Sequence, residues 1–251
     1  MRTYDYALSR GRHVSPDRGR CAMEWVAELS GDAHTDRPDA ASAVAAEYVR
    51  QLNDVLADAP RQRLRPYLSR MIGTAGDGLD EQRAWSCALR LARTCLPAAL
   101  DAAGLPEHAQ RLRFAPAGEL HLAVDESRAA AAGARAAARE RARRACVPIE
   151  WPLRRERART AARAAGRAAA LDATRAALTA APPDAERSAL AETAWSAAWD
   201  ALWATAWRDR GMPDANALRS GAFDLLDQML PGERLDVAGG ERIALVSPSR
   251  R

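Results

Sequence analysis

The segment WSAAWDALWATAW, residues 195–207, decides the fold class of this chain. Its tryptophans recur every four residues, which keeps them near one side of an α-helix, with a drift of about 40° per step. We call these rings the tryptophan ridge; they are Trp195, Trp199, Trp203 and Trp207. The pattern predicts a long helix from about Asp184 to Arg210, ended by Gly211.

Two interpretations of the tryptophan ridge are open. An exposed ridge would line a pocket for a small apolar or cationic ligand, or would bind a partner protein. A buried ridge would fill space that small side chains leave in the core. Aromatic residues make up only 5% of the chain, and a stripe at helical spacing is typical of a buried face. The core interpretation is therefore favoured.

The composition of the whole chain is also that of a helical protein. Of its 251 residues 48% are hydrophobic, and many of these are alanines, which favour helices and bury little area. No segment reaches the roughly 18 uncharged apolar residues of a membrane span. The N-terminus lacks the apolar core of a secretory signal. We therefore expect a cytoplasmic protein with no membrane partner.

Apolar spacing and helix-ending residues predict further helices. They cover about 22–29, 39–57, 60–73, 80–104 and 125–145, then a second Ala/Arg segment after Pro152 and a last helix entered by Pro213. Asp36 or Asp39 would cap the helix 39–57, and Asp80 would cap the helix 80–104. The predicted fold class is mainly α, an irregular multi-helix bundle, with a small C-terminal β-hairpin around Gly239 and Gly240.

The chain divides into three predicted regions. Residues 1–104 form an N-terminal helical region. Residues 105–124 form a linker-like stretch, marked by two prolines and a glycine. Residues 125–251 form an Ala/Arg-rich region that carries the tryptophan ridge and packs on the first.

The absence of lysine excludes several kinds of site. All 37 basic residues are arginine, so no Schiff-base lysine, pyridoxal phosphate attachment or Walker A lysine exists. No Gly-x-Gly-x-x-Gly or Gly-x-Ser-x-Gly segment is present. The four cysteines form no Cys-x-x-Cys pair and match no zinc template, so we predict buried free thiols and no metal site. Whether the protein binds a cofactor is unknown from the sequence.

The segment GRCAMEWVAELSGDAHTDRP, residues 19–38, gathers candidate catalytic side chains. Cys21 would lie at a helix N-terminus beside two arginines, and both features lower the pKa of a thiol. Glu24 could act as a base or a ligand, and His34 and Asp36 could complete the set. Alternatively, Cys-x-x-Glu is a capping box, in which the glutamate accepts from the cap amide. The capping interpretation is favoured.

Two polar residues lie in the middle of the predicted helix 39–57. Asn53 and Asp54 are poor helix formers there, so a buried Asn53 needs partners. We expect these partners in the backbone around Cys21. The pair would then belong to a polar network between two helices, or to a binding site between them.

The most basic part of the chain is residues 128–167. It holds twelve arginines and three glutamates, a net charge of +9; because the whole chain carries +4, the rest carries −5. Such a segment could bind nucleic acid through phosphates, or pair with acidic helices. Its only aromatic residue is Trp151, which provides little base stacking. The candidate contact residues are Arg154, Arg155, Arg157 and Arg159.

The N-terminal motif resembles a family of uncharacterised proteins from actinobacteria and their phages. The resemblance covers about residues 18–74 and the closing segment 223–230. Family members often carry a further Cys and a His-Pro where this chain has DAASAV, so those groups are missing here. The resemblance implies no established activity. The matching positions are Cys21, Met23, Glu24, Thr35, Asp36, Pro38, Arg50, Asn53 and Asp54.

Three functions remain as hypotheses. The leading one is a non-catalytic helical binding or interaction protein of unknown partner, with the tryptophan ridge and the basic segment as contact surfaces. The alternative is a cysteine-centred or metal-assisted enzyme that uses Cys21, Glu24, His34 and Asp36. The second alternative is a nucleic-acid-binding protein that uses residues 128–167.

Overall fold

The computed structural model describes residues 7–208 and 215–230 of the protein. Within these ranges the fold is mainly α, as predicted, and contains no strand. The predicted hairpin around Gly239 and Gly240 lies outside the described residues. The helices are α1 Ala22–Ser30, α2 Ala43–Val55, α3 Asp58–Arg61, α4 Arg65–Met71, α5 Asp80–Arg90, α6 Leu96–Ala103, α7 Pro106–Phe114, α8 Leu120–Ala145, α9 Trp151–Ala168, α10 Leu171–Thr179, α11 Ala185–Ala206 and α12 Ala215–Met229.

The helix α2 begins later than the sequence predicts. Its cap is Ser42, whose hydroxyl accepts a hydrogen bond from the Ala45 amide at 3.2 Å, and not Asp36 or Asp39. Ser, Asp and Asn are about equally good caps, so local sequence does not choose between them. A tertiary contact selects Ser42 as the cap, because the Ser42 amide donates a hydrogen bond to the Thr74 hydroxyl at 2.8 Å.

The predicted cap at Asp80 is also displaced by one residue. Leu79 occupies the cap position without a side-chain hydrogen bond, and Asp80 is the first residue of α5. The Asp80 carboxylate instead accepts from the Ser42 hydroxyl and from Arg83 at 3.1 Å. It therefore ties the starts of α2 and α5 together.

The predicted helix 80–104 contains a π-helical turn at Leu91–Cys95, between α5 and α6. Pro97 follows this turn, and proline cannot donate to the carbonyl four residues back. Widening of the turn lets the helix continue past the proline instead of breaking. Gly104 ends α6 in the left-handed conformation, at the predicted end of the helix 80–104.

Residues 105–124 differ from the expected linker. They contain α7, whose Ala109 and Leu112 are completely buried, and the start of α8. Pro106 stands in the first turn of α7, where the missing amide costs nothing. Pro106 therefore starts a helix, and Pro116 precedes the 3-10 turn Ala117–Glu119.

The buried residues form two hydrophobic clusters. The first, the N-terminal core, contains side chains of α1, α2 and α4 together with α10 and α12 from the other end of the described chain. The second, the alanine core, is built from α6, α7, α8, α9 and α11. Tyr48 of α2 donates to the Ala222 carbonyl of α12 at 3.0 Å, which fixes the returning helix. No helix in the described ranges is long and apolar enough to cross a membrane.

The tryptophan ridge of α11 faces other helices of the same chain. Trp207 stacks on Trp151 of α9, with centroids 5.1 Å apart and planes at 6°. The Trp195 indole donates to Asp172 of α10 at 3.1 Å. The guanidinium of Arg135 on α8 lies 5.3 Å from the Trp203 ring. These contacts give the rings a packing role in the alanine core.

Gly166 makes room for the fourth ring of the ridge. A Cβ atom built there would lie 2.6 Å from Cζ2 of Trp199, so α9 can approach α11 only because this side chain is absent. We predict that Gly166→Ala lowers the free energy of unfolding by about 1–3 kcal/mol because the ring must move. Urea denaturation measures this change.

Gly133→Ala is the matched control. Gly133 lies within α8, and a Cβ atom there would meet nothing within 4 Å. Alanine should therefore stabilise the protein by about 0.5–1 kcal/mol. Equal effects of the two substitutions would contradict the packing described for Trp199.

Candidate functional site

The Cys21 and Glu24 pair forms the predicted capping box at the start of α1. The Cys21 amide donates to Glu24 Oε2 at 2.7 Å, and the Glu24 amide donates to Cys21 Sγ at 3.5 Å. Each side chain thus satisfies an amide that the helix leaves without a partner.

Glu24 also binds a residue that the sequence did not single out. Its carboxylate accepts from the His13 amide at 2.6 Å and from His13 Nδ1 at 2.7 Å. Glu24 is 1% exposed, so this acid is buried with at least three N–H donors around it. Buried carboxylates are tolerated in proteins when they are satisfied in this way.

These contacts set the charge of Glu24. Burial raises the pKa of its carboxyl group, but the hydrogen bonds from the His13 and Cys21 amides and from the His13 ring outweigh burial. The net result is a pKa below the usual range, so Glu24 is ionised at neutral pH. Because the ionised Glu24 carboxylate already accepts hydrogen bonds from these donors, it stabilises the loop and the start of the helix. It is poorly suited to act as a base.

Asn53 and Asp54 hold the same loop from the other side. We call residues 8–20 the N-terminal loop. Asn53 accepts from the Ala22 amide at 3.3 Å and donates to the Ser9 carbonyl at 2.9 Å, which confirms the predicted contact with the backbone around Cys21. Asp54 accepts from the Gly11 amide at 2.9 Å. Side chains of α1 and α2 therefore satisfy backbone groups of a segment that has little regular structure.

The thiol of Cys21 differs from the reactive thiol that its neighbours suggested. Burial raises its pKa to about 12, whereas the nucleophile hypothesis requires a lowered pKa. The helix N-terminus is present, but the Arg20 guanidinium lies over the Trp25 ring at 4.6 Å. A buried, protonated thiol is a poor nucleophile.

His34 joins this cluster, and Asp36 does not. His34 Nε2 donates to the His13 carbonyl at 3.0 Å and lies 3.7 Å from Glu24 Oε1. Asp36 lies 3.8 Å from Arg12 and 4.0 Å from Arg50 instead. Across the described ranges, no three or more His, Cys, Asp or Glu side chains are placed to hold a metal ion.

The geometry around His13 explains a glycine in the loop. Gly19 has a φ of +112°, and a Cβ atom there would lie 2.8 Å from Ser9 Oγ and 3.1 Å from His13 Nε2. The ring is thus enclosed by Ser9 and Gly19 on one side and by Glu24 on the other. No sequence spacing indicated this contact, because His13 lies in a loop without periodicity.

The basic segment forms a second candidate site, on α9. Arg154 is half-buried and donates to the Trp207 carbonyl at 3.5 Å, so it caps α11. Arg155 and Arg157 are exposed, and Arg159 lies 3.9 Å from Glu156. Four exposed arginines recur every four residues along α9, a spacing that is already visible in the sequence. We call them the arginine stripe; they are Arg155, Arg159, Arg163 and Arg167.

The opposite face of α9 is small and apolar. Ala158 and Ala165 belong to the alanine core, and Ala162 and Gly166 are also buried. Packing of this face leaves the arginine stripe directed away from the core, with slight rotation from one residue to the next.

On α8, several arginines are paired. Arg143 and Arg144 both donate to Glu140, and Arg135 donates to Asp200. Within the described part of the chain, Arg139 and Arg141 are exposed and in no ion pair. The free positive charge of the segment therefore lies mainly on α9 and near the end of α8.

Comparisons with protein-family models, with curated proteins and with solved structures find no match for this chain. A functional assignment therefore rests on the geometry of the two sites.

We predict that Glu24→Gln lowers the free energy of unfolding by about 2–4 kcal/mol, because an amide donor replaces an acceptor among N–H groups. The folded-state pKa of Glu24 is lowered, so its contribution is present above pH 4.5 and is lost as the pH falls through the folded-state pKa. The variant should show a shallower acid dependence, measured by urea denaturation at several pH values.

Glu28→Gln is the control for this prediction. Glu28 is exposed on the same helix and lies 3.4 Å from Arg20. Its loss should change stability by less than about 0.5 kcal/mol. Equal losses from the two variants would contradict a central role for Glu24.

The thiols should react at two distinct rates with a disulfide reagent at pH 8. Cys146 is half-exposed, whereas the other three cysteines are buried. We expect one fast thiol per folded chain, which Cys146→Ser removes, and four thiols after denaturation. A fast thiol that persists in Cys146→Ser and disappears in Cys21→Ser would contradict this prediction and support Cys21 as a nucleophile.

Proposed function

We propose that the protein is a non-catalytic helical binding protein that contacts a polyanionic partner through the arginine stripe of α9. The observation that carries this proposal is the row of four exposed guanidinium groups, of which Arg159 alone has a carboxylate within 4 Å in the described chain. Guanidinium groups bind phosphates and carboxylates in paired hydrogen bonds.

The charge distribution supports the same partner. Residues 128–167 carry +9 while the remainder carries −5, so the positive charge is concentrated on one part of the chain. A concentrated field attracts an anionic partner and orients it during association.

The other candidate surfaces receive less support. The rings of the tryptophan ridge contact other helices of the chain: Trp207 is buried, and the other three are half-buried against the alanine core. An enzyme that uses Cys21, Glu24, His34 and Asp36 would need a reactive group. However, Cys21 is buried, and the Glu24 carboxylate already accepts hydrogen bonds from its neighbours. The His13–Glu24 contact is the observation that favours this alternative most.

A nucleic acid is one polyanion that the stripe could bind. Trp151, the aromatic residue of the basic segment, is stacked on Trp207 and so is engaged inside the fold. This favours contacts to phosphates over stacking on bases.

We also propose that the resemblance of residues 18–74 to the actinobacterial family reflects the loop-anchoring network. Cys21, Glu24, Asn53 and Asp54 are the family-matched residues that bind loop and helix backbone. A cytoplasmic location remains part of the proposal, and the four free cysteines support it.

The proposal predicts binding of inorganic polyphosphate that weakens steeply with salt. Changing all four residues of the arginine stripe to alanine should weaken binding by at least about tenfold and make the log K against log salt slope shallower by about 3. Fluorescence anisotropy of labelled polyphosphate over a range of NaCl concentrations measures both.

The control removes the same charge elsewhere. Arg10, Arg12, Arg18 and Arg37 are exposed around the N-terminal loop. Their quadruple alanine variant should retain most of the affinity. Equal losses from both variants would show a non-specific charge effect, and no binding by the unmodified protein would refute the proposal.

A further inference from the structure

The turn between α8 and α9 exposes three large aliphatic side chains within seven residues. Val147 is 53% exposed, Ile149 is 83% exposed and Leu153 is 65% exposed. We call these three side chains the apolar tip. Single exposed aliphatic residues are common on proteins, but a group of three at one turn is a feature of interaction surfaces.

The fold holds this turn in place. Trp151 lies inside it and stacks on Trp207 at the end of α11, and Arg154 donates to the Trp207 carbonyl. Both α8 and α9 pack against α11. These contacts fix the backbone of the turn, while the three side chains of the apolar tip remain exposed to solvent.

Positive charge surrounds the apolar tip. Between residues 141 and 159 the chain has seven arginines and two glutamates. Arg143 and Arg144 precede the turn and remain 66% and 77% exposed although they pair with Glu140. The exposed acid of the turn is Glu150.

We propose that the apolar tip enters the interface of an anionic lipid bilayer while the surrounding arginines bind its headgroups. This inference rests on the proposed function, since the lipid surface is the polyanion. Aliphatic side chains gain by leaving water for the acyl boundary, and arginine keeps its charge among headgroups while its stem lies deeper. Each basic residue near an anionic surface adds to the attraction.

A lipid surface fits these observations better than a nucleic acid does. Contacts to nucleic-acid phosphates would account for the exposed arginines, but they give the three exposed aliphatic side chains no binding partner. The expectation of no membrane partner came from the lack of a spanning segment, and a surface contact needs no such segment.

Vesicle sedimentation at 0.1 M NaCl tests this proposal. We expect the full chain to bind vesicles of phosphatidylcholine and phosphatidylglycerol, and not vesicles of phosphatidylcholine alone. Ile149→Ser/Leu153→Ser should reduce the partition coefficient by about tenfold or more, because the variant removes two partly inserted aliphatic side chains whose contributions multiply.

Val14→Ser/Phe114→Ser is the matched control, since both residues are exposed apolar side chains elsewhere in the chain. This variant should bind like the unmodified protein. Equal binding by Ile149→Ser/Leu153→Ser would show adsorption by charge alone and would overturn insertion of the tip.

A second readout uses Cys146, the half-exposed thiol beside the apolar tip. An environment-sensitive fluorophore on Cys146 should shift to the blue with anionic vesicles, and no shift would overturn insertion. If polyphosphate binds and vesicles do not, the tip proposal fails while the proposed function stands. If neither binds, both fail.

Discussion

The buried Glu24 carboxylate is the interaction on which the N-terminal half of the structure depends. It accepts hydrogen bonds from the Cys21 amide, which starts α1, and from the amide and ring of His13 in the N-terminal loop. An ionised acid in this position has a large desolvation cost unless each donor is in place. One side chain therefore joins the start of a helix to a loop segment eleven residues away.

This arrangement gives the N-terminal motif a structural role instead of a catalytic one. Cys21, Glu24, Asn53 and Asp54 are residue types that catalytic sites use, but here they satisfy backbone groups. Their chemistry is needed for the fold, since a loop without regular structure must find partners for its amides. The surface that we propose for a partner is the arginine-rich part of α8 and α9, where small apolar faces pack inward and exposed arginines lie outside.

Much of this architecture follows from local sequence rules. Spacing predicted the helix that carries the tryptophan ridge, Cys-x-x-Glu predicted the capping box, and the poor helix propensity of Asn53 predicted a backbone partner near Cys21. Each of these depends on residues within one helix or on the need of a buried amide for partners.

The features that were missed depend on tertiary contacts. Nothing near His13 indicates that it meets Glu24, and the pKa of Cys21 is set by burial, which neighbouring charges do not reveal. The break between α9 and α10 falls at Ala170, whose φ of +54° is unusual for alanine. A helix end without glycine or proline gives no sequence signal.

We propose that the N-terminal motif maintains the fold while the arginine stripe binds the polyanionic partner. Nuclear magnetic resonance of the full chain during titration with inorganic polyphosphate tests it most directly. We expect shifts of the side-chain Nε–H signals of the arginine stripe, while the amide signals of His13 and Cys21 stay unchanged. Shifts at His13 and Cys21 without a change along α9 would contradict it.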